Sequence, residues 1–339
     1  MYVVLALVLL GVLIIAHEFG HFLAARLCGI EVVEFSMGMG PLLLKKRSRR
    51  GTQFSVRLLP IGGFCQFYGE DEERDDPRAF NRQKLWKRAL TVASGPLMNF
   101  LIAIVVIALY MSLLGLESIV PRVAEIEEPA MSAGLEVGDE IISVNGQQVS
   151  DTEMIAQAIS QSAGKTVELV VLREGEFVEL SIEPFLDEEL GRYRVGMTFA
   201  VERVRVPLLK SVPFACAYGV ESVRAILDAL VGILSSGQGA DQVTGPVGTV
   251  AGISDMTQEG GIDVYLQLLA MVSVNLGVMN LLPIPGLDGS RLLFLLAEAI
   301  RRKPVRRELE GAIHAAGLIL LMGLMVVLTY KDIVQIFVK

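Results

Sequence analysis

The sequence predicts a polytopic α-helical membrane protein of about four transmembrane helices, with an inserted α+β domain outside the bilayer. Three observations carry this expectation: 52% of the 339 residues are hydrophobic, four apolar runs approach span length, and a single acidic globular stretch interrupts them. A mean hydropathy of +0.53 is too apolar for an ordinary soluble protein. Aromatic residues are only 6% and the net charge is −8, which argues against a nucleic-acid-binding protein. Cys28, Cys65 and Cys216 lie far apart without CxxC spacing, leaving neither a disulfide framework nor a zinc ribbon to read.

A bilayer core of roughly 30 Å needs about 20 apolar helical residues. The spans fall at Tyr2 to Leu27, Thr91 to Leu116, Val264 to Leu287 and Gly311 to Tyr330. The first lacks a basic leader and a small-residue cleavage pattern, so it reads as a retained span rather than a signal peptide. Lys and Arg gather between the first two spans, from Lys45 to Arg88, and between the last two, from Arg301 to Arg307. Both loops are therefore expected to be cytoplasmic. Gly115 to Gly261 holds 9 basic and 23 acidic residues and should lie outside, with both termini. Within it, Pro213 to Ser235 is apolar except for Glu221, Arg224 and Asp228 on one helical face, as expected of an amphipathic helix lying on the outer membrane surface.

His17-Glu18-Phe19-Gly20-His21 is an HExxH pattern inside the first apolar run. At 3.6 residues per turn the two imidazoles share a face and can reach one Zn²⁺, with Glu18 beside them as base for a metal-bound water. The bland reading is a set of polar residues hydrogen-bonded within a bundle. Charged groups at that depth cost about 2.5 to 3.5 kcal/mol each on insertion scales and are functional by default. Zinc needs a third protein ligand. Cys28, His314 and Asp288 are the candidates. Asp288 is favoured because it ends Asn280-Leu-Leu-Pro-Ile-Pro-Gly-Leu-Asp288, where two prolines and a glycine break an apolar helix, and broken backbone at membrane depth survives only in protein or at a wet cavity. His314 reads otherwise as a bundle histidine and Cys28 as a packed hydrophobe.

From about 119 to 200 the composition turns globular. Gly138-Asp139 and Asn145-Gly146 mark turns about a strand Glu140 to Val144, a helix is expected over Asp151 to Ser162, and strands at Thr166 to Leu172 and Phe177 to Ile182. The string AGLEVGDEIISVNG, Ala133 to Gly146, resembles the PDZ domain, which binds extended peptides by strand addition. The alternative is a domain that only occludes or spaces the membrane part. Thr52 to Leu59 and Phe64 to Tyr68 read as two short strands about a Pro60 to Gly63 turn.

Together, HEFGH, the PDZ-like segment and NLLPIPGLDG resemble the site-2 protease family of intramembrane zinc metalloproteases, closest to the bacterial regulator-of-sigma-E branch with a single PDZ domain. Phe35-Ser-Met-Gly-Met-Gly-Pro41, Pro60 to Phe64, Ser94-Gly-Pro-Leu-Met-Asn99, Thr244-Gly-Pro-Val-Gly248 and Ser273-Val-Asn-Leu-Gly277 follow that branch in order. The resemblance implies Zn²⁺ held by His17, His21 and Asp288, between the first and third spans, with Glu18 as the catalytic base and Asn275 and Asn280 as contacts to substrate backbone. It implies as substrate an already trimmed single-pass membrane protein of the anti-sigma-factor kind, a membrane-associated β-hairpin beside the zinc, and a bacterial inner-membrane location with the active site toward the cytoplasm. A peptide ligand of the PDZ groove is a further candidate partner, and no nucleic acid is expected. Ser290-Arg291 departs from the branch, where Gly-His is frequent. The expected organisation is 1–114 for the first two spans and hairpin, 119–200 for the PDZ domain, 206–262 for an amphipathic linker and 263–339 for the last two spans. The rival from another class is a catalytically inactive PDZ-containing membrane scaffold, which an intact HExxH and Asp288 set disfavours.

Overall fold

Long apolar runs free of internal charge can satisfy their backbone only as helices, and the chain begins with one. The computed structural model describes residues 1–70, 72, 74–188, 191–239 and 243–338, without the side chains of residues 60, 61, 307, 337 and 338. Helix α1, Tyr2–Cys28, ends at Gly29, whose φ of 80° supplies the left-handed closing residue. Two strands, β1 (Val32–Arg47) and β2 (Gln53–Phe67), lead to α2, Leu85–Leu113. Among the described residues, four helices are long and apolar enough to cross a membrane: α1, α2, and two later ones spanning Pro246–Leu281 and Glu308–Ile336.

Two compact units emerge, residues 1–110 with 207–339, and residues 111–206. In the second unit a six-stranded sheet has the order β10-β3-β4-β6-β7, with β5 off β4. Its strands are β3 (Leu116–Ile126), β4 (Glu140–Val144), β5 (Gln147–Gln148), β6 (Val167–Arg173), β7 (Glu176–Ile182) and β10 (Met197–Val204), while β8 (Phe185–Asp187) and β9 (Arg192–Arg194) form a separate ribbon. Asn145 and Gly146 both have positive φ, 51° and 75°, as a tight turn between β4 and β5 demands. Helix α3, Thr152–Gln161, is capped by Asp151, whose carboxylate accepts from Met154 N–H at 2.8 Å. Ile155 and Ile159 of that helix pack on Ile141, Leu169 and Val171 to make the core.

In the first unit, α4 (Leu208–Ser236) buries only Ser211 and Ala215 among its described residues and is not one of the four span-length apolar helices. Helix α5, Pro246–Leu281, bends at Gly261, whose φ of 64° is not helical. Helix α6, Asp288–Arg301, follows a turn, and α7, Arg307–Val338, closes the chain. Asp332 of α7 accepts from the N–H groups of Gly245 and Gly248 at 3.0 and 2.7 Å, so a carboxylate caps the start of α5.

The break expected at the prolines is present: α5 stops at Leu281, short of the apolar run's end at Leu287, because Pro283 and Pro285 cannot donate to a helix. The short amphipathic α6 was not expected. The hairpin differs in its pairing: residues 53–56 and 63–66 run in opposite directions along Glu34–Met37, so the chain does reverse between Val56 and Gly63, but each half of β2 pairs with the unforeseen β1, and a second reversal lies at Ser48–Thr52, where Ser48 N–H bonds Thr52 O at 2.8 Å. Glu34 to Met37 of β1 each pair twice, with residues 53–56 and with residues 63–66, while Leu42 to Arg47 pairs with residues 53–57. The result is a curled sheet with residues 63–67 along one edge.

Candidate metal centre

His17 and His21 sit one helical turn apart on the buried stripe of α1, where both are less than a tenth exposed. The proline-broken turn 282–287 aims the first residue of α6 at them. Asp288 Oδ2 lies 3.0 Å from His17 Nε2 and 3.2 Å from His21 Nε2, and the two Nε2 atoms are 3.2 Å apart. Three donor atoms thus form a nearly equilateral triangle. A tetrahedral ion with ligands at about 2.0 to 2.1 Å places them about 3.3 to 3.4 Å apart, close to what is seen.

The proton positions agree. His21 Nδ1 lies 2.9 Å from Thr91 O, a carbonyl that can only accept, so Nδ1 carries a proton and Nε2 is the nitrogen turned into the triangle. Asp288 Oδ2 is buried with no hydrogen bond of acceptable geometry despite its two histidine neighbours. An ionised oxygen so placed calls for a cation. Among the described residues this is the one group of three side chains able to hold a metal.

Glycines set the approach of the surrounding helices. A Cβ on Gly20 would strike Ser94 O and come within 2.9 Å of Met98 Cβ, so the glycine of HEFGH lets α2 touch α1. A Cβ on Gly95 would lie 2.8 Å from His17 Nε2 and collide with the ring of His21. The backbone of α2 therefore passes directly over the triangle. Gly289 is confined in the same way by the carbonyls of Leu281 and Leu282.

The triangle opens into a cavity of about 710 Å³ shared by Glu18, Asn280, Arg57, Arg291 and residues 64–67 of the β2 edge. Gly63 backs onto Glu18: a Cβ there would lie 3.1 Å from Glu18 Cγ. Hence Glu18 and Asn280 join His17, His21 and Asp288 around one space. Asn275 does not: it is exposed and absent from the lining. The physical reason is helical phase, since five residues turn a helix by about 500°, placing Asn275 and Asn280 some 140° apart. Of the other ligand candidates, Cys28 packs with Ala25, Ile30 and Val32. His314 lines the cavity but accepts from Gly286 N–H at 3.2 Å through Nδ1, outside the triangle. The sequence reading missed Gly95, Glu70 and Arg291; the SGPLMN segment, by its small residues in a span, was the available signal for the first.

Comparison with known proteins places this geometry. Residues 5–324 match peptidase family M50. A Clostridium perfringens protein named as a zinc metalloprotease is 35% identical over 98% of this chain and 99% of its own. One from Mesorhizobium japonicum with the same description is 34% identical over 96% of this chain and 97% of its own. The regulator of sigma-W protease RasP of Bacillus subtilis is 28% identical over 99% of both chains. Among solved structures, the PDZ domain of the SdrC-like protein of Listeria monocytogenes aligns with 25% of this chain and 92% of its own, at 17% identity and a TM-score of 0.22. With a match over nearly its whole length and relatives of equal extent, the chain belongs to peptidase family M50, the site-2 proteases, and is a zinc metalloprotease with membrane-spanning helices.

Proposed function

We propose that the chain hydrolyses a peptide bond within the membrane-spanning segment of a single-pass protein, an already trimmed anti-sigma factor or a protein of that type. The observation that carries this reading is the shared cavity: His17, His21, Asp288 and Glu18 meet there with the 64–67 edge of a sheet, inside a unit built on span-length helices. The two histidines and Asp288 would hold zinc, which would supply Lewis acidity toward water and a scissile carbonyl. Glu18, which lines the same cavity, is placed to accept a proton from the attacking water and to deliver it to the leaving nitrogen.

A helix hides its carbonyls in hydrogen bonds, so the substrate unwinds first. Residues 63–67 pair with β1 on one side and with no strand on the other among the described residues, and an unwound segment can add there as a strand. Asn280 offers a donor and an acceptor to the same backbone. Residues 119–200 act as an extracytoplasmic PDZ domain, supported by the AGLEVGDEIISVNG string and by the α3-on-sheet core, with both termini outside and the metal toward the cytoplasm. The regulator of sigma-W protease RasP, similar over 99% of each chain, supports an anti-sigma-type substrate. To test the reading, Glu18→Gln is expressed in membranes with a tagged single-pass substrate. Cleavage at the wild-type rate refutes it.

A further inference from the structure

Hydrolysis requires Asp288 to stay on the two imidazoles, yet Asp288 opens a helix of only 14 residues that follows an irregular turn. Two ligands ride on α1 and one on α6, so the rotation of α6 about its own axis decides whether the third ligand is delivered. Residues 288, 291, 295 and 298 recur at i, i+3, i+7 and i+10 and form one stripe of that helix. Leu295 on this stripe is 5% exposed. The other two positions are tied to distant parts of the chain.

Arg291 is ion-paired through Nη1 to Glu70 Oε1, across 221 residues of sequence. The second oxygen of Glu70 accepts from Phe67 N–H at 3.1 Å, which fixes the carboxylate to the end of the β2 edge. The Glu70 side chain is 13% exposed and the Arg291 side chain 41%, so the pair is partly buried, with its carboxylate the shielded end. Further along the stripe, Arg88 Nη1 donates to both oxygens of Glu298 at 2.8 and 3.0 Å, bracing α6 against α2.

We propose that Arg291 and Glu70 are positioning residues for the metal, their ion pair locking the first turn of α6 to the end of the sheet edge and so holding Asp288 at His17 and His21. The inference rests on the zinc-protease reading above. It adds that the edge offered to substrate and the third ligand are mechanically joined, because Glu70 lies three residues beyond Phe67. Arg291 works through Asp288 and not by touching the reacting atoms.

The test uses the purified full chain in detergent: wild type, Glu70→Ala, Arg291→Ala, Arg291→Lys and the Glu70→Ala/Arg291→Ala double variant. Zinc affinity is read by competition with a chelator, and cleavage is measured at limiting and saturating zinc. Loss of an outer partner of a metal ligand weakens metal binding about 10- to 100-fold, and each alanine variant is expected in that range. The double variant should lose no more than either single one, since the pair acts as a unit. Lysine keeps the charge without the planar fork and should fall between Arg291→Ala and wild type. Should the alanine variants fail to fold, Arg291→Lys carries the test with the same direction. At saturating zinc, kcat should recover with KM unchanged. Zinc affinities equal to wild type, additive losses in the double variant, or a raised KM at saturating zinc with unaltered affinity would each overturn the proposal. A wild-type chain whose zinc is indifferent to His17→Ala and Asp288→Ala would instead overturn the metal-centre reading beneath it.

Discussion

Gly95→Ala adds one methyl group to the helix that crosses the metal centre. The new Cβ would stand 2.8 Å from His17 Nε2 and nearer still to the ring of His21, where ordinary contact begins at 3.4 Å. The rings must therefore retreat by about 0.6 Å or more, whereas ligand atoms tolerate displacements of roughly 0.2 Å before a metal site is spoiled. A disturbance confined to an outer shell already costs 10- to 100-fold in affinity, and this one moves two ligands directly, so a loss of about 100-fold or more is expected, near 2.7 kcal/mol. The helix itself cannot be blamed, because alanine in place of glycine raises helix propensity by about 0.8 to 1 kcal/mol. Gly11→Ala in α1 serves as control, since nothing lies within 4 Å of its added Cβ. Zinc affinity by chelator competition, with circular dichroism to follow helix content, decides the matter. A Gly95→Ala protein that binds zinc like the wild type would show that the triangle is not the metal site.

Other consequences are as direct. Glu18→Gln should retain zinc but lose at least 10²- to 10⁴-fold in cleavage rate, read on a tagged single-pass substrate beside metal analysis. Asp332→Ala leaves the N–H groups of Gly245 and Gly248 without their carboxylate, and should destabilise the fold by about 3 to 5 kcal/mol, two charge-assisted bonds' worth, seen as a lower thermal midpoint in detergent. In the β-rich unit, burial pushes the Asp139 carboxyl up, but the Arg173 guanidinium at 2.7 and 2.8 Å and the Glu136 N–H outweigh it and hold the carboxyl below its usual range. Its stabilising contribution is therefore complete above about pH 4 and is lost as pH falls through the lowered value. Hydrogen exchange of β6 in the full chain should quicken over that acidic range, and Asp139→Asn should show faster exchange at neutral pH with the acid step removed.

Much of the site was legible because its signals are local and costly. Two imidazoles and a carboxylate in an apolar run admit few bland readings, and prolines in a span mark broken backbone; hence His17, Glu18, His21 and Asp288 were all singled out, and the structure brings them together. The apolar runs showed through for the same reason. What stayed hidden depends on distant partners or on glycine. Residues 35–41, with Gly38, Gly40 and Pro41, carry poor strand propensity, yet they pair in β1 because Gly38 and Gly40 adopt φ near 85° and let the sheet curl. Helix α6 was masked because its stripe is embedded in the apolar string Leu292 to Leu296, which conceals a 3.6-residue period. Arg291 registered only as a departure from the family pattern, since its partner Glu70 lies far away in sequence. Asn275 was carried over by motif alone, and helical phase removes it from the cavity.

The whole account narrows to whether three side chains from two helices bind one ion. Zinc content of the purified wild-type chain beside Asp288→Ala and His21→Ala tests this most directly. The structure predicts close to one zinc per wild-type chain and a large loss in both variants while helix content stays the same. Equal, near-stoichiometric zinc in all three proteins would contradict it.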